Sequence, residues 1–238
     1  MMRSRIAVVL IGMFATTSMS VFAYLQDKIP TSHTFNRIYK TGDSQNYTFK
    51  FEYKSVDDDE TFKAEGELIH KVSKLLSEGK AETSIEFTKA KMSFMEEEFD
   101  ALEYFENKSW ECGKSGMPLR YDEEDLDSAG LSFWLSQFSV NQKVDIGKTY
   151  EIKFVSDDKQ LSVDGQGTLI ATGRLYEERV AKVEVKVRAK TDEFEATYNF
   201  TTYLNLETGK LVKSEGNVES KEADGNYEIK FIYAKVRK

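Results

Sequence analysis

One cysteine, two histidines and two prolines are all that a chain of 238 residues contains of those three types. With Cys112 alone there is no internal disulfide, so the chain depends on its core even if it is exported to an oxidising compartment. Nucleophile-and-base catalysis needs a tunable base beside a serine or cysteine. Here the only histidines are His33 and His70, and no G-x-S-x-G, H-E-x-x-H or C-x-x-C motif accompanies them. Hydrolases of those kinds are disfavoured. His33 lies in PTSHT, just after Pro30, and reads as a mobile lead-in; His70 shares a face with Leu68 and Val72 and reads as a partly buried strand residue. Cys112, with no cation-rich motif to activate it, reads as a quiet semi-buried thiol. Basic charge is also short, with 33 Lys and Arg against 41 Asp and Glu, a net −8. That balance argues against nucleic-acid binding and against charge-driven docking on anionic membranes.

Long apolar runs are missing too. The longest, Ile6 to Ala15, follows Arg3 and Arg5 and precedes a polar segment that ends in Val21-Phe22-Ala23. It is too short for a spanning helix, which needs about 20 residues, and it has the layout of a secretory signal cut after Ala23. Export to the periplasm or outside the cell is therefore expected, with no transmembrane segment after cleavage. No cysteine at the cut invites a lipid anchor. The acidic excess lies wholly in residues 24–146, and residues 147–238 are balanced.

What the chain has is alternation. Tyr47, Phe49, Phe51 and Tyr53 point one way, and Thr48, Lys50, Glu52 and Lys54 the other. The strand NYTFKFEYK returns as NYEIKFIYAK at Asn226 to Lys235 and as TYEIKFVS at Thr149 to Ser156. Valines 183, 185 and 187 alternate likewise, as does the run from Phe194 to Leu206. Turn signals at Glu78-Gly79, Asp157-Asp158, Thr191-Asp192, Thr208-Gly209 and Asp224-Gly225 separate these runs. The fold class predicted is mainly β: a long-stranded antiparallel meander of about ten strands, curled into a half-barrel or barrel because long twisted strands do not stay flat. One helical segment, Asp122 to Phe138, is predicted to cover the concave face, with Leu126, Phe133, Trp134 and Phe138 apolar and Gly130 a weak point.

The two halves run in parallel. G-x-x-x-x-Y from Gly42 and G-x-x-Y from Gly147 each open a strand, and AEGELI and GQGTLI follow at matching places. This reads as a decayed internal duplication. The expected organisation is a signal peptide at 1–23, an N-terminal lead-in at 24–41, a first β-half at 42–118, a helical connecting segment at 119–146 and a second β-half at 147–238.

Other constellations fail on spacing. ECGKSG would be a phosphate loop only with glycine where Lys108 stands, so it reads as a polar turn. Asp125, Asp127 and Gly130 begin an EF-hand loop, but Ala129 and Ser136 occupy ligand positions. No metal site or cofactor is expected. Met and aromatic residues outside the repeated strands line adaptable apolar pockets, and from them Phe94, Tyr104, Trp110, Phe133, Trp134 and Phe138 are the candidate ligand-binding set. The same cluster also reads as the seam between the two halves.

The strand-opening motifs, the stretch VDIGKTY (Val144 to Tyr150) and the hairpin LNLETGKLV (Leu204 to Val212) resemble those of exported bacterial β-repeat proteins with G-x-[ST]-[YW] and T-G-[KR]-L signatures. The plan, a curved sheet under a helix, is similar to that of periplasmic lipoprotein-carrier half-barrels. That resemblance implies acyl chains on the concave face and carries no binding residue over to this chain. Two functions follow as expectations: a non-enzymatic envelope protein binding an apolar ligand such as a lipid, or a scaffold with a filled core whose acidic face meets a basic protein partner or a cation.

Overall fold

The computed structural model describes residues 32–58, 60–94, 97–121, 127–222 and 225–236. The signal segment, the first five residues of the predicted helix and Asp224 of one predicted turn lie outside them. Among the described residues there are thirteen strands and one α-helix. In chain order these are β1 (Ser32–Thr34), β2 (Ser44–Ser55), β3 (Thr61–Leu75), β4 (Ala81–Phe94), β5 (Glu97–Asp100), β6 (Lys108–Cys112), α1 (Ser128–Leu135), β7 (Lys143–Asp145), β8 (Thr149–Val155), β9 (Ser162–Leu175), β10 (Glu178–Lys190), β11 (Phe194–Asn205), β12 (Leu211–Glu222) and β13 (Gly225–Lys235).

Eleven of the strands form one antiparallel sheet in the order β5-β4-β3-β2-β13-β12-β11-β10-β9-β8, with β6 also on β4. The ends do not meet, so the sheet is open and not a barrel. The last strand closes onto the first long one, which makes the two NY repeats hydrogen-bonded neighbours: Phe51 lies opposite Phe231 and Phe49 opposite Tyr233. The third copy, β8, forms the far edge. Within β2 the alternation becomes burial, with Tyr47, Phe49 and Phe51 in the core and Thr48 and Lys50 in water. Each buried aromatic contributes roughly 1.5–3 kcal/mol. A one-residue slip would instead bury Lys50 and Glu52, so the register is set by the side-chain pattern. On the outer face, the pairs Lys50–Glu65, Lys89–Glu67 and Lys230–Glu52 bridge neighbouring strands. Exposed pairs of this kind contribute about 0.2–1 kcal/mol each.

The sheet curls because some positions leave no room for a side chain and others slip by one residue. Gly66 faces Phe49 across the β2–β3 ladder, and a Cβ there would stand 2.0 Å from the Lys89 carbonyl oxygen and 2.8 Å from the Phe49 ring. Bulges at Glu67/Leu68, Lys182/Val183 and Tyr203/Leu204 add local twist. The resulting trough wraps α1, whose side chains reach strands far apart in the sheet. Phe133 meets Tyr47 on β2 at 5.5 Å, Trp134 meets His70 on β3 at 5.6 Å, and the hydroxyl of Ser136, the residue that caps the helix C-terminus, meets that of Ser214 on β12 at 2.9 Å. Among its eight residues only Gly130 is not fully buried, as expected of a helix enclosed on all sides.

The helix is shorter than the predicted Asp122–Phe138. It starts after Asp127, whose carboxylate accepts from the Gly130 N–H at 2.6 Å, so that Gly130 lies in the first turn instead of breaking a longer helix. It ends at Leu135, where the chain tightens through Gln137 N–H to Trp134 O and Phe138 N–H to Leu135 O. His33 also departs from expectation. It lies in β1, paired with Val144 of β7, and packs edge-on against the buried Phe35 at 5.1 Å. Phe35 anchors that segment under the trough, where the Ser139 hydroxyl donates to its carbonyl at 2.7 Å.

Candidate functional site

The concave face is not completely filled. Between the N-terminal half of α1 and strands β2, β3, β4 and β6 there is a cavity of about 470 Å³, within the usual range of small-molecule sites, about 300–1,000 Å³. Its walls are built by alternation and by the helix together. Phe49, Phe51 and Tyr53 come from the inward face of β2, Leu68 from β3, Ile85 and Phe87 from β4, Trp110 from β6, Phe133 and Trp134 from α1, and Tyr233 from β13. Tyr104 and Phe105, from the turn between β5 and β6, close one side. The rings brace one another: Phe87 and Phe105 are 4.9 Å apart, Trp110 and Trp134 5.2 Å, and Phe133 and Tyr233 5.1 Å.

Polar groups collect at the mouth. Asp127, Glu106 and Lys108 line it, and Lys108 Nζ lies 3.6 Å from a Glu106 carboxylate oxygen. Asp127 is open to solvent there but walled by protein elsewhere, and that enclosure, with Glu222 nearby, raises its pKa against the opposing effect of the helix N–H groups. Glu222 accepts from the Ser128 hydroxyl at 2.5 Å and the Ser220 hydroxyl at 2.8 Å. Three tyrosines stand around this acidic corner. Burial, and after it the charge of Asp127, pushes the phenols of Tyr53 and Tyr198 well up, and burial does the same at Tyr233. The Tyr198 hydroxyl donates to the Ser128 carbonyl at 2.8 Å, and that of Tyr233 pairs with Ser132 at 3.1 Å.

Of the six residues singled out in the sequence, Tyr104, Trp110, Phe133 and Trp134 line this cavity. Phe94 does not; it sits at the exposed end of β4, beside β5. Phe138 does not either, because the helix stops short of it and it packs half-buried against the core beyond the helix end. The β2 aromatics, Phe87 and Asp127 were missed. Their alternation is that of any core strand, so no sequence signal distinguishes a ring that faces a void from one that faces another ring.

His70 and Cys112 are both sequestered. His70 is buried between Phe133 and Trp134 with its Nε2 unpartnered, and burial, then Arg37 and Lys210, holds its pKa well below the usual value. Cys112 is fully buried beside the Thr83 hydroxyl at 3.2 Å, and burial pushes its thiol up to about 12. It is more deeply enclosed than the semi-buried thiol expected. ECGKSG forms a turn, with Gly116 at φ +89° and the Gly113 carbonyl accepting from Tyr39 at 3.0 Å. Among the described residues, no three His, Cys, Asp or Glu side chains group as metal ligands, and no helix is long and apolar enough to cross a membrane.

No family model matches the chain, and no curated protein matches it. Among solved structures it is similar to a Parabacteroides distasonis protein provisionally named a lipoprotein, at 10% identity and TM-score 0.30 over 85% of this chain and 97% of that one. It is similar to a Bacteroides fragilis protein, provisionally named exported and with a YmcC-like fold, at 8% identity and TM-score 0.30 over 86% and 100% of the two chains. A DUF1329 family protein of Desulfovibrio piger gives 8% identity and TM-score 0.27 over 82% and 85%. Likenesses this distant lend no weight to the reading of the cavity, which stands on its own geometry.

Proposed function

We propose that the protein is exported and works without catalysis, holding the apolar part of a small molecule, such as a lipid, in the aromatic cavity of its trough. The observation that carries this reading is the cavity of about 470 Å³ left between α1 and the strands, lined mainly by aromatic and aliphatic side chains with Glu106, Lys108 and Asp127 among them. It opens to solvent on one side, as a site that takes up a ligand needs to. The burial of His70 and Cys112 favours binding over chemistry, because neither presents a reactive atom to solvent. The signal-like N-terminus carries the expectation of export.

Native mass spectrometry of protein purified from its host tests this, together with uptake of the uncharged dye N-phenyl-1-naphthylamine. Co-purifying lipid or saturable dye fluorescence is expected. A clean apo mass combined with no dye uptake refutes the reading. Trp134→Ala should weaken uptake, because Trp134 forms part of the wall.

A second reading has its own observation. Phe94 at the end of β4, and Phe99, Leu102 and Tyr104 along β5 and the turn after it, are exposed among Glu97, Glu98, Asp100 and Glu103. An apolar and acidic arm suits a basic protein partner. Capture of such a partner should fade above physiological salt, because exposed charges are screened over about 8 Å.

A further inference from the structure

The geometry points to a ligand whose apolar body carries a cationic head, an amine or quaternary ammonium, seated at the mouth of the aromatic cavity; this rests on the binding reading above and specifies its ligand. Two features of the mouth converge on positive charge. The first is the set of rings in the same lining as Glu106, Lys108 and Asp127, the exposed Tyr104 and its neighbour Phe105 among them; aromatic faces attract organic cations, the more so when water is thinned around them. The second is the state of its carboxylates. Lys108 already lies beside Glu106, whereas Asp127, exposed and accepting from the Gly130 N–H, makes no ion pair among the described residues, and Glu222 near it accepts from the hydroxyls of Ser128 and Ser220. An exposed carboxylate beside aromatic rings adds a charge that an organic cation can meet. A hard metal ion does not fit, since such ions take six or more oxygen ligands and rings supply none. An anionic head would face Asp127 and Glu106 together.

The test uses the two tryptophans of the chain, which both line the cavity and so report its occupancy through their fluorescence. Dodecyltrimethylammonium, dodecyl maltoside and dodecyl sulfate are titrated below their micelle-forming concentrations at physiological ionic strength. The cationic probe should bind about ten-fold more tightly than the uncharged one of equal chain length. Asp127→Asn should remove most of that preference, read as the ratio of the two affinities; asparagine caps a helix as well as aspartate, so α1 keeps its start. Glu228→Gln, on the outer face of β13, should leave the preference intact. Equal affinities, tightest binding of the sulfate, or a preference that survives Asp127→Asn would overturn the cationic assignment while the apolar cavity stands. Silence toward all three probes and the neutral dye would overturn both.

Discussion

Lowering the pH from about 7 to 5.5 should destabilise the protein through His70, by at most about 1.3 kcal/mol, and His70→Leu should abolish that loss. The magnitude follows from the side chain's surroundings. His70 is 5% exposed, edge-on to Phe133 and Trp134, with Arg37 and Lys210 adding positive charge nearby, so the folded state resists protonating it. The unfolded chain takes up the proton near the ordinary histidine value of about 6.5. In that window the unfolded state binds more protons, so stability is fully present above the unfolded pKa and drains away as pH falls toward the folded one. For a folded pKa below the window the loss approaches about 1.4 kcal/mol per pH unit, which gives the figure above once partial protonation near neutrality is subtracted. The assay is thermal or denaturant unfolding at both pH values. A chain of this size should lose at most about 3–5 °C in midpoint. His33, half-buried and also shifted down, adds a smaller loss of the same sign that remains in the variant. The lowered carboxylates, Glu52, Glu65, Glu195 and Asp158, titrate below the window. At neutral pH His70→Leu should be no less stable than the parent, because it removes a buried, unpartnered ring nitrogen. Asp127, shifted up, contributes in the opposite direction as pH falls, so the test is the difference between the two proteins, and an equal pH slope in parent and variant would refute the reasoning.

Two further outcomes follow from packing. Gly66→Ala should cost about 1–3 kcal/mol or more in denaturant unfolding, since its Cβ would press into the Lys89 backbone carbonyl, which cannot swing aside as a side chain can. Cys112 should be silent to thiol reagents in the native protein at neutral pH and react at the rate of unfolding, as a thiol titrating at about 12 and fully buried requires; fast native labelling would contradict the burial.

Much of the fold was legible in period-two patterning. The inward faces of β2, β10 and β11 could be named residue by residue, because a side chain's face in a strand depends only on parity and one face was plainly apolar. The turns were readable at Glu78-Gly79 and Thr208-Gly209, where φ is positive. The turn at Tyr176-Glu177, also of positive φ, was not, because those residue types carry no turn signal. The helix was legible as an apolar segment but not in its bounds, which the Asp127 cap and the tightened turn after Leu135 decide.

The candidate site was legible only in part. Four of its rings belonged to the non-repeating aromatic cluster, but Phe94 and Phe138 belonged to that cluster too and lie elsewhere. By itself the sequence determined the chain's chemistry: a cystine-free, acidic, alternating polymer that must form antiparallel sheet with its aromatics on one side. Only the tertiary structure decided that β13 returns to β2, that the sheet stops short of closure, and that α1 fills one part of the trough and leaves another empty. The physical reason is that parity is a local property of the backbone. Which faces meet, and how completely they fill the space between them, depends on contacts between residues far apart in the chain.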